Sequence, residues 1–132
     1  MTMEAIILIA VGALLSLLVV GAGLRRRRWR IGSAAAARLR VQWDAACAQG
    51  DPARRVLECD SVLSLALREA GVPGGLGAQL RIAGARFANR EALWRAHKLR
   101  NRIAHEPGTK VAEREADAAV KAFERGMESV LR

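Results

Sequence analysis

Arg100-Asn101-Arg102-Ile103-Ala104-His105 brings together, in six residues, side chains suited to phosphate chemistry. A guanidinium can hold charge on phosphate oxygens through parallel donors, and an amide can orient a phosphate or an imidazole. An imidazole titrates near neutral pH and so can take or give a proton. The segment lies inside "LWRAHKLRNRIAHEPG", Leu93 to Gly108, where His97 and Arg102 stand as accessory contacts. On a helix, Arg100 and His105 project about 140° apart, so one straight helix does not aim both at one small atom. Two such helices facing across a two-fold axis remove that obstacle, with Arg from one chain near His from the other.

Other chemistries find little support. Cys47 and Cys59 are the only cysteines, and neither belongs to a CxxC or clustered His/Cys pattern, so no metal site is expected. They read as small buried apolar side chains. Gly74, Gly75 and Gly77 are turn residues without a P-loop or GxGxxG context. No Ser-His-Asp or Cys-His arrangement is recognisable, and no cofactor is implied. Trp43, Trp94, Phe87 and Phe123 read as core aromatics; a stacking platform for bases needs more of them among basic residues.

The elements that must position the motif read as helices throughout, with no run alternating at period two and no internal repeat. Ser33 can cap a helix running to Gly50. Asp51-Pro52 is an N-cap followed by proline at the first helical position, and the helix it starts runs to Gly71. "VPGGLG", Val72 to Gly77, is a loop; a short helix spans about Ala78 to Ala88. Asn89 caps the motif helix, Pro107-Gly108-Thr109 breaks it, and a last helix covers about Ala112 to Leu131. The sum is an all-α chain: a small antiparallel bundle of four to five helices over residues 33–132.

Two helix faces carry a polar interruption. Val56, Asp60, Leu63, Leu67 and Ala70 form one buried stripe, and Leu93, Ala96, Arg100 and Ile103 form another. A lone charge in a core is costly, whereas a hydrogen-bonded ion pair is tolerable. Asp60 and Arg100 are therefore expected to approach each other between the two helices.

The N-terminus has a different character. Ala5 to Leu24 is an uncharged apolar run whose helical length, roughly 30 Å, matches a bilayer's hydrocarbon core. Arg25, Arg26, Arg27, Arg28, Trp29 and Arg30 follow, within a polybasic linker over residues 25–32. A signal peptide carries its charge before the apolar run, and this chain has Glu4 there. The expectation is a single-pass span within residues 1–24, the N-terminus outside and the C-terminal domain cytoplasmic. The arginines and Trp29 then mark the membrane interface and attract anionic lipid headgroups. Of 22 Lys and Arg five lie in that block, and of 13 acidic residues only Glu4 precedes it. The net charge of +9 thus falls to +5 beyond it, which permits an anionic partner without demanding one.

A helical domain of this size with R-x4-H near the end of a helix resembles the HEPN superfamily. Arg100, Asn101 and His105 match the Arg, the following polar residue and the His of that motif. The resemblance spans about Ser33 to Arg132, and the chain is most similar to small membrane-anchored bacterial members. It implies a bundle that dimerises through the motif helix and a metal-independent ribonuclease or RNA-binding activity at the inner membrane. In place of the tyrosine that toxin-type members carry two residues after the histidine, this chain has Pro107. The alternative is a non-catalytic membrane adaptor that binds itself or another protein, with the motif serving the fold.

Overall fold

The computed structural model describes residues 1–25 and 29–132, with side chains described for 1–22 and 29–132. Arg26, Arg27, Arg28 and the side chain of Arg25, expected at the membrane interface, lie outside the described residues. Six α-helices are present: α1 Met3–Arg25, α2 Ser33–Cys47, α3 Pro52–Glu69, α4 Leu76–Ala83, α5 Arg90–His105 and α6 Glu113–Val130. A 3₁₀ turn, Gly84–Arg86, follows α4, and no strand occurs among the described residues.

The ends of these helices follow local chemistry. Asp51 caps α3 by accepting from the Arg54 amide at 2.8 Å, and Pro52 starts the helix where its missing N–H costs nothing. Gly71 ends the α3 region at φ 90°, a left-handed value that a side chain resists. Two expected caps differ. Gly32 occupies the N-cap of α2, so Ser33 is already helical, and the helix stops at Cys47 rather than near Gly50. Asn89 is the N-cap residue of α5, but its amide instead donates to the Ala122 carbonyl at 3.0 Å. It fastens the start of α5 to α6.

α3 is the central helix, packed against α2, α4, α5 and α6, and α5 packs on both α3 and α6. Val56, Leu63 and Leu67 of α3 meet Leu93 of α5 and Phe123 of α6 in one core. Gly126 permits this closeness: a Cβ there would stand 3.1 Å from Leu63 and 3.3 Å from Leu93. Gln79, fully buried, locks α4 in place by donating to the Ser64 and Val72 carbonyls at 3.0 Å each. Its carbonyl accepts from the Ser64 hydroxyl at 2.9 Å, so the buried amide is well satisfied.

α1 stands apart from this core. It is long and apolar enough over Met3–Ala22 to cross a membrane, or to serve as a signal sequence, and none of that span is buried in the chain. Trp29, just beyond it and expected at the membrane interface, packs against the bundle. It is buried, its ring 5.4 Å from that of Phe87, with the Arg86 guanidinium 3.3 Å over its centre.

Candidate functional site

α5 carries three polar residues on the side that meets α3, at spacings of three and four: His97, Arg100 and Asn101. That spacing puts them on neighbouring positions of one helical surface. Across from them α3 presents Asp60, whose side chain is only 5% exposed. Asp60 Oδ2 lies 2.7 Å from His97 Nδ1, and Oδ1 lies 3.6 Å from Arg100 Nε. The expected Asp60–Arg100 approach is thus present, but the short contact of Asp60 is with His97.

His97, expected only as an accessory contact, is thus the closest partner of Asp60. The signal was available: His97 follows Leu93 by four, so it falls on the same buried stripe. It also precedes Arg100 by three, which brings both within reach of one carboxylate.

The hydrogen-bond directions can be assigned by elimination. A guanidinium only donates, so Arg100 Nη1 fixes Asn101 Oδ1 as its acceptor at 3.2 Å. The Asn101 Nδ2 group is then a donor, 3.3 Å from His97 Nε2. An ionised Asp60 only accepts, so His97 carries its proton on Nδ1 and accepts through Nε2. The neutral imidazole satisfies both contacts. The result is a chain of hydrogen bonds running from Asp60 through His97 and Asn101 to Arg100, whose Nε comes back to within 3.6 Å of Asp60 without a hydrogen bond.

The neighbours of this network are fixed with it. A Cβ at Gly77 would stand 3.0 Å from His97 Nε2, so glycine at the start of α4 is what lets the imidazole sit there. Trp94 meets the other side of His97 edge-on at 6.1 Å, and Arg81 lies 5.9 Å over the Trp94 ring. A cavity of about 390 Å³ opens between α3, α4 and α5, with Asp60, His97, Arg100 and Asn101 on its wall.

His105 lies elsewhere. It is exposed at the last residue of α5 and borders a groove of about 810 Å³ between α5 and α6. Ala92, Ala96, Ala119 and Ala122 line the groove with small side chains, and Arg95, Lys98 and Arg102 stand along its α5 edge. Arg102 is held there by Glu115, with Nη2 donating to Oε1 at 2.6 Å. Asn101 is the residue that borders both recesses. Within one chain, then, Arg100 and His105 line different recesses, as their angular separation requires.

Among the described residues no group of three or more His, Cys, Asp or Glu is arranged to hold a metal ion. Burial pushes the Cys59 thiol well above its ordinary range, and Cys47 is raised for the same reason, which keeps both in the unreactive protonated form. Comparisons of the chain with protein families, with curated proteins and with solved structures give no match.

Proposed function

We propose that this protein is a membrane-tethered HEPN-like bundle that acts on RNA as a homodimer. The observation that supports the reading best is the placement of His105 beside a long groove with a basic edge and an alanine floor. Small side chains let a second helix come close, and Arg95 and Lys98 favour a polyanion along the same edge. The R-N-x-x-x-H spacing on α5 fits the motif of that superfamily, and a two-fold partner would set His105 of one chain against the Arg100 side of the other.

The chemistry would need no metal. His105 takes the proton of a ribose 2′-hydroxyl, and the 2′-oxygen bonds to phosphorus as the phosphorus–O5′ bond breaks. The products are a 2′,3′-cyclic phosphate and a 5′-hydroxyl, the leaving oxygen taking up, directly or through water, the proton that His105 removed. Arg100 and Asn101 would stabilise and orient the charged phosphate in the transition state. α1 would span the inner membrane once with the N-terminus outside, and the arginines after it would meet anionic headgroups on the cytoplasmic face.

A second reading has an observation of its own. Arg100 already donates to Asn101 and lies 3.6 Å from Asp60, contacts that serve the fold as much as a substrate. A non-catalytic membrane adaptor that pairs with itself or another protein fits that arrangement. The full chain in non-ionic detergent, incubated with RNAs of varied sequence and compared with His105→Ala, separates the two. Cleavage that is lost in His105→Ala supports the nuclease. A folded dimer that cleaves none of the RNAs, or equal cleavage by both forms, leaves the adaptor.

A further inference from the structure

We propose that the cavity between α3, α4 and α5 is a binding site for a phosphate monoester, held by Arg68 and Arg100. Both guanidiniums line the same cavity, and Asp60 is the one acidic side chain on its wall. Asp60 is already engaged: His97 takes one oxygen at 2.7 Å and Arg100 Nε lies 3.6 Å from the other. The 3.6 Å contact is well beyond the roughly 2.7–2.9 Å of a charge-assisted hydrogen bond, so Arg100 is only loosely neutralised. Two guanidiniums face one carboxylate, so the wall carries a net positive charge that an oxyanion would balance.

The donors are held in place before any ligand arrives. Arg68 Nη1 is shared between the Ser64 hydroxyl at 3.1 Å and the Gly74 carbonyl at 3.2 Å, which anchors the side chain. Its Nη2 donates to no protein atom among the described residues, and neither does that of Arg100. Arg100 Nε is buried without a hydrogen bond, a state that buried donors seldom occupy in a finished network. Ser61 lies on the same wall, but its hydroxyl already donates to the Leu57 carbonyl at 2.9 Å, so the two guanidiniums are the donors that matter.

The start of α4 adds a second source of positive potential. Gly75, Leu76, Gly77 and Ala78 line the cavity, and no side chain caps the helix there. The first amides of a helix lack partners within it and carry part of the helix dipole. Here they accompany two arginines in one open recess rather than forming a site alone. The volume, about 390 Å³, lies near the small end of the range of roughly 300–1,000 Å³ seen for ligand pockets. That favours a compact phosphate head over an extended polymer. A dianionic monoester offers oxygens enough to meet both guanidiniums.

The test uses the full chain in non-ionic detergent, titrated calorimetrically with inorganic phosphate. One binding event per chain is expected, weakened at least tenfold in Arg68→Gln and in Arg100→Gln. Arg68 is exposed, so its variant keeps the fold even where loss of Arg100 disturbs α5; circular dichroism verifies this. Repeating the titration in nanodiscs of phosphatidylcholine, with or without phosphatidic acid, identifies the source. Competition by phosphatidic acid assigns the site to a lipid headgroup, and unchanged affinity assigns it to a soluble monoester. A folded wild-type chain that binds no phosphate, or that binds it as tightly with Arg68→Gln, overturns the proposal. Neither arm contains RNA, and Arg68 has no part in the RNA reading, so the Arg68→Gln result and RNA cleavage succeed or fail separately even though Arg100 serves both.

Discussion

Removing the Asp60 carboxylate should loosen the bundle more than the loss of one hydrogen bond would. In Asp60→Ala, His97 Nδ1 is left without its 2.7 Å acceptor, in a residue only 8% exposed. An orphaned buried donor costs about 1–3 kcal/mol, and breaking a buried pair by removing one partner costs about 3–5 kcal/mol. Arg100 moderates the larger figure, because its side chain is 32% exposed and can turn into water. The expected loss is therefore about 3 kcal/mol. At a urea slope of about 1.5 kcal/mol per molar, that lowers the unfolding midpoint by about 2 M. The assay is urea unfolding of the full chain in mild detergent, followed by tryptophan fluorescence. Trp94 is a local reporter, since its ring lies 6.1 Å from that of His97. Asp60→Asn keeps an acceptor for His97 but loses the charge, so about half the effect should remain. A double-mutant cycle with His97→Ala isolates the pair, with a coupling of about 1.5–2 kcal/mol expected. A coupling below about 0.5 kcal/mol would refute the claim that these two groups stabilise each other.

Gly126→Val should lower the melting temperature by about 5–15 °C, because the added carbons press on Leu63 and Leu93, both fully buried. An unchanged melting temperature in a thermal scan would show that α3, α5 and α6 are less tightly packed than described. Cys59 should resist maleimide labelling in the folded chain, since burial keeps its thiol protonated, and should label readily in urea. Its folded pKa lies above the ordinary 9.0, so the stabilisation is complete below pH 9 and is lost as pH rises toward the folded value. Urea midpoints measured from pH 8 to 10.5 should fall for wild type and fall less for Cys59→Ala.

Local signals and long-range ones were legible to different degrees. Asp51-Pro52 marks the start of α3 because its cap is made within four residues, and Gly71 marks the end because its φ is positive. Ser33 misled because a serine and a glycine stood side by side, and either can occupy an N-cap position. Asn89 was identified as the N-cap residue, but its side chain serves a carbonyl on α6, a choice made by tertiary packing. The proximity of Asp60 and Arg100 followed from two apolar stripes interrupted once each. The preference of Asp60 for His97 did not, since periodicity shows which face a residue shares but not which of two donors comes closer. Trp29 was read by its neighbours in the chain, five arginines and an apolar helix. Its partners, Phe87 and Arg86, come from more than fifty residues away.

That Trp29 contact bears on how two copies could meet. A ring gripped by Phe87 and Arg86 ties the bundle to the end of α1 through a connection only a few residues long. Were α1 seated in a bilayer, as proposed, the bundle would diffuse in a plane and keep one edge toward the lipid. Every copy would then arrive in the same upright attitude, so the two-fold axis open to a pair would be one that runs along the membrane normal. The α5–α6 groove would serve between copies only if it opened sideways. Tethering would then act as a selection rule, forbidding head-on and inverted encounters that a freely tumbling bundle would sample.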